Sequence, residues 1–121
     1  MDRPITNGWM LTRNFWLFEF EEPGSHLVKL HPMLAIELQR LRDFIGKPIR
    51  ITSGYRGHEH NAAVGGVPDS AHIYGEAADF VVDPDREDLV MQYLDGSSVF
   101  DWHHEPDHFH VEIREHMRAP R

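Results

Sequence analysis

The stretch Ser70-Ala71-His72-Ile73-Tyr74-Gly75-Glu76-Ala77-Ala78-Asp79, running on into Phe80-Val81-Val82, decides how this chain is read. It places His72 and Asp79 seven positions apart, with an apolar run directly behind the carboxylate. A carboxylate at the head of so apolar a strand is costly unless something positive or hydrogen-bonding meets it. A metal ion and an arginine are the two candidates. A second histidine-rich stretch, His108-Phe109-His110, supplies further donors. Two imidazoles and one carboxylate with an open fourth position form a hydrolytic zinc pattern.

Working outward, Ala77 to Val82 reads as one strand and His108 to Ile113 as another. Alternation puts His108, His110 and Glu112 on one face of the second strand, with Phe109, Val111 and Ile113 on the other. A strand with one wet face satisfies that pattern by itself. Two such strands side by side could equally aim Asp79 and His110 at one ion, with His72 arriving from the preceding loop. On spacing alone, a metal site and a set of satisfied histidines stand level.

The bounds from composition are consistent with either. A chain of 121 residues is long enough for one core but not two. Apolar runs fall far short of the roughly 20 residues of a spanning helix, so no membrane span is expected. The absence of cysteine removes disulfides and thiolate metal sites, leaving His, Asp and Glu as ligands. Twenty acidic against 12 basic residues, a formal charge of −8, argue against a nucleic-acid partner. Eight of the ten histidines fall into two groups, His58, His60 and His72, then His103, His104, His108, His110 and His116.

The remaining elements read as scaffold. His31-Pro32 opens a helix whose Leu34, Leu38, Leu41 and Ile45 share a face, and Gly46 stops it. Ile49 to Thr52 alternates as a strand. Ser53 to Pro68 reads as an ordered functional loop, with room for a helical turn after His58. Asp83-Pro84 starts a second helix that ends at Gly96. Val99 to Trp102 is a short strand candidate. The tail from Glu115 to Arg121 is expected to be frayed or weakly helical. Residues 1–25 are expected as a short helix or turn whose aromatic residues fill the core, ended by Pro23-Gly24.

Taken in order, Ser53-Gly54-Tyr55-Arg56, Asn61, Gly65-Gly66, Ser70 to Gly75, Ala77-Ala78-Asp79 and His110-Val111-Glu112-Ile113-Arg114 closely resemble one known family. It is the zinc D-alanyl-D-alanine carboxypeptidase family, which includes phage L-alanyl-D-glutamate endopeptidases and shares its fold with the hedgehog signalling domain. Each motif is weak alone; all of them in order, over about residues 11 to 114, are specific. The resemblance implies a single α+β domain across residues 1–121, a mostly antiparallel sheet flanked by helices, of the hedgehog/DD-peptidase type.

It also implies Zn2+ held by His72, Asp79 and His110, with water at the fourth position. Asp107, three residues before the last histidine ligand, matches the general base, and Glu105 is the competing carboxylate. Because strict alternation would turn Asp107 away from the metal face, it must lie in a turn that Pro106 allows. Arg56 matches an arginine that binds the substrate carbonyl or the developing oxyanion; its alternative is an ion pair within the loop. His108 either donates to the tetrahedral intermediate or orients a carboxylate. Ser70 is a substrate-carboxylate contact by analogy, or a cap. His58, His60, His103 and His104 fall outside the matching positions and are expected on the surface or behind the ligands.

The implied substrate is the stem peptide of peptidoglycan, cut either at a terminal D-alanine or internally. A monomer is expected. With no basic-then-apolar leader and no separate wall-binding module, the expectation is a bare catalytic unit, phage-encoded by analogy. The rival is a non-catalytic, zinc-stabilised binding or phage structural module of the same fold. The presence of Asp107 and Arg56 beside the three ligands favours the enzyme.

Overall fold

A computed structural model describes residues 6–120. Its longest helix, α1 (Pro32–Ile45), is set at both ends by the residues that announce it. The His31 Nδ1 accepts the Met33 backbone N–H, proline occupies the first turn, and Gly46 closes the helix at φ 70°. Leu34, Leu38, Leu41 and Ile45 are buried on one face, as their spacing requires.

The main sheet is antiparallel, with strands β3 (Arg50–Ser53), β4 (Ala77–Val81), β5 (Phe100–Glu105) and β6 (His108–Ile113) in the order β3-β4-β6-β5. α1 and α3 (Glu87–Asp95) pack on one another and against the sheet, and the core lies between them. Phe80 and Phe109, directly paired across β4 and β6, stack at 5.4 Å within that core. Truncating either ring to alanine would cost about 3–5 kcal/mol, the usual penalty for a phenylalanine-sized void. The other face of β4 is covered by the 3-10 turn Ala71–Tyr74, which descends from the loop carrying the short helix α2 (His58–Ala63). Both faces of β4 are therefore buried. Asp79 sits at its centre rather than at its head.

Two sequence expectations change. The strand expected over Val99 to Trp102 runs on to Glu105, because β6 supplies ladder partners all the way to the turn at Pro106-Asp107. The N-terminal stretch is a hairpin of β1 (Met10–Thr12) and β2 (Phe15–Trp16), followed by the 3-10 turn Leu17–Phe20. Its first residues, 1–5, lie outside the described residues. Phe15 and Phe20 do fill the core, but Trp9 and Met10 stand 74% and 57% exposed. The hairpin is tied to α1 by Gln39, which accepts from Thr12 and donates to Asn14. The expected tail includes a 3-10 turn, Glu115–Met117, docked through the His31 Nε2 donating to the Met117 carbonyl at 2.9 Å. Among the described residues no helix is long and apolar enough to cross a membrane.

Candidate metal centre

Ladder register builds the site. Asp79 on β4 pairs directly with His110 on β6, which places their side chains on the same sheet face. The His110 Nδ1 lies 2.8 Å from one Asp79 oxygen. His72 reaches the same oxygen from the Ala71–Tyr74 turn, its Nε2 at 3.4 Å. One ligand atom from each of His72, Asp79 and His110 lies within 4.8 Å of the others, close enough to share an ion.

Each imidazole is held from behind. His72 Nδ1 stands 2.7 Å from the Gly54 carbonyl, which can only accept, so Nδ1 donates to it and Nε2 faces the cluster. This suits a metal ligand, whose other ring nitrogen ordinarily donates to a carbonyl or carboxylate. His110 is placed the other way round, with Nε2 2.8 Å from Glu112 and Nδ1 turned inward. With acceptor-only carboxylates on both sides, it is an imidazolium. Burial opposes the charge, but bonds to Asp79 and Glu112 raise its pKa to about 9. A metal taking Nδ1 would replace a proton there.

Burial likewise works against ionising Asp79, yet hydrogen bonds from His110 and His72 outweigh it and hold the carboxyl well below the usual range. Arg56 joins from the loop after β3, with Nη2 at 3.4 Å from the second Asp79 oxygen. Its Nε and Nη1 donate to Ser53 and Asn61 at 3.2 and 3.3 Å. Of the two partners foreseen for Asp79, the arginine is thus present, and the donors for a metal are present too. Both the sharing and the chemistry of the donor set fit zinc: two imidazole nitrogens and one carboxylate, with nothing thiolate.

Asp107 occupies the β5–β6 turn, where the sequence reading expects it, and is 87% exposed at the side chain. His108 Nδ1 bonds it at 2.7 Å, and that bond lowers its pKa, while the Asp79 charge pushes the other way. Glu105 pairs across the ladder with His108 and lies 3.4 Å from His103. Ser70 is buried and caps the Ala71–Tyr74 turn, accepting the His72 backbone N–H at 3.3 Å. The cap alternative for it is therefore realised, and its hydroxyl proton is left to donate. His58 and His60 lie on α2, apart from the three donors.

Two residues gain importance that the sequence reading did not give them. Glu112 fixes His110, and His103 stacks on the same ring at 4.7 Å. The signal for both was present. With a two-residue turn at Pro106-Asp107, the register must pair His103 with His110 and Asp101 with Glu112. His104, one residue on, faces the opposite side and stacks on Phe109 at 4.0 Å. A cleft of about 390 Å3 runs along the outer edge of β3, between Phe18, Glu19 and Arg50, and ends at Ser53 and Gly54.

An α+β domain presenting two histidines and an aspartate on a sheet face has the make-up of a metallohydrolase. A family model described as Peptidase M15 matches residues 19–112 and so takes in all three donors. The chain belongs to that family, the zinc D-Ala-D-Ala carboxypeptidases. Its members are zinc-dependent peptidases. No curated protein matches the chain significantly.

Proposed function

We propose that this protein hydrolyses a peptide bond in the peptidoglycan stem peptide, as a zinc-dependent carboxypeptidase or endopeptidase. The observation that carries the reading is the convergence of His72, Asp79 and His110 within 4.8 Å in a Peptidase M15 chain. His72 would hold the metal through Nε2, His110 through Nδ1 and Asp79 through a carboxylate oxygen. When bound, zinc supplies Lewis-acid chemistry, bringing the pKa of water towards ~7 and polarising the scissile carbonyl.

The other steps belong to the chain. Asp107, ionised and exposed, takes a proton from the attacking water and returns it to the leaving nitrogen, so that amide and water become carboxylate and amine. His108 orients that carboxylate through their 2.7 Å bond. Arg56 meets the oxyanion. Its existing contacts, 3.2–3.4 Å, are long for charge-assisted bonds, and a guanidinium has five donors. Ser70 donates its hydroxyl proton to a substrate carboxylate.

Incubating purified peptidoglycan with zinc-loaded protein and weighing the fragments tests this. New amino and carboxyl termini within the stem peptide are expected, and their masses name the bond. Intact peptidoglycan beside fully zinc-loaded protein would overturn the reading in favour of a zinc-stabilised binding module.

A further inference from the structure

Beyond the matched residues, the chain turns back on the site. After β6 it passes through Glu115–Met117, and Arg118 then reaches Glu112 with Nη2 at 2.6 Å. The same guanidinium donates through Nε to the Ile113 carbonyl at 2.9 Å, so its direction is fixed by two bonds. Glu112 uses its other oxygen on His110 Nε2 at 2.8 Å. The result is an unbroken line from the tail to the cluster: Arg118, Glu112, His110, Asp79.

Resting on the metal reading above, we propose that Arg118 is a positioning residue that acts through Glu112 to set how tightly His110 holds zinc. Each link has one physical task. A guanidinium bonded to one carboxylate oxygen leaves the other free to accept and pins the carboxylate in place. A pinned carboxylate accepting from Nε2 keeps the ring proton there, so that the inward nitrogen is the ligand, and makes that nitrogen a better donor. Arg118 lies outside residues 19–112, so the family match does not include it.

The test is zinc affinity, measured by chelator competition on wild type, Glu112→Gln, Arg118→Ala and the double variant, with circular dichroism to check folding. Glutamine keeps the shape of the side chain and loses its charge, so Glu112→Gln should fold normally. Roughly 10- to 100-fold weaker zinc binding is expected for each single variant, as for outer carboxylates at other metal sites. Because Arg118 works through Glu112, the double variant should be no weaker than Glu112→Gln alone. Arg118→Lys should recover part of the loss. Unchanged affinity in both single variants, or losses that multiply in the double, would overturn the proposal. Failure of the wild type itself to bind zinc would instead defeat the metal reading beneath it.

Discussion

The Gly54 carbonyl and His72 are joined by a 2.7 Å hydrogen bond that turns one face of the imidazole towards Asp79 and His110. Only a residue without a side chain can put that carbonyl there. A Cβ at position 54 would lie 2.4 Å from the Phe20 carbonyl oxygen, with backbone on both sides of the clash. Gly54→Ala should therefore shift the loop, cost about 1–3 kcal/mol as overpacking does, and weaken zinc binding. Thermal melts with zinc titration check this; a variant with wild-type values in both would contradict it.

In the proposed mechanism Asp107 bears the proton-transfer step without being a ligand. Asp107→Ala should lower turnover by about 10²–10⁴-fold while zinc stoichiometry stays unchanged. Glu105→Ala, whose carboxylate faces His103 at 3.4 Å, should retain most activity. The reverse result, an active Asp107→Ala and a dead Glu105→Ala, would exchange the two roles.

His110 ties two buried or half-buried carboxylates together as well as offering a donor. His110→Ala should lose zinc and activity together. It should also destabilise the metal-free protein by about 1–3 kcal/mol, because Asp79 and Glu112 lose a shared partner. Zinc dialysis and denaturant melts measure the two effects separately. Retention of one zinc at unchanged affinity would remove His110 from the ligand set.

Away from the site, Tyr93 carries a pH signature. Burial first, then its 3.0 Å hydrogen bond to the Glu37 carboxylate, push its pKa from the ordinary 10.0 up to about 12. A phenol whose folded pKa is raised gives stability that is complete below the unfolded value and is lost as pH climbs through the folded one. Melting temperature should thus fall between about pH 10 and pH 12, and more steeply in wild type than in Tyr93→Phe. Parallel curves would refute the assignment.

Local signals made much of this legible in the sequence. His31-Pro32 and Gly46 bracket α1 because capping depends on neighbours in the chain, and β6 alternates because one face is core. His72, Asp79 and His110 could be listed from spacing, but only family likeness lifted them above satisfied histidines. The rest depended on tertiary pairing. The far half of β5, His103 to Glu105, is polar and exposed, so no hydrophobic pattern marks it; the ladder to β6 makes it a strand. The N-terminal hairpin hid for a related reason, since Trp9 and Trp16 are too exposed for their aromatic character to indicate a core position. Arg118 gave no signal at all, because its link to Glu112 exists only after the tail folds back.

The central claim is that catalysis depends on a metal at His72, Asp79 and His110. Its most direct test titrates zinc into chelator-stripped protein while following hydrolysis of a stem peptide and counting bound metal. Activity should start near zero, rise in proportion to bound zinc, and level off at about one ion per chain, the capacity of a single three-ligand site. Full hydrolysis by the stripped protein, or one bound zinc with no hydrolysis, would contradict the account.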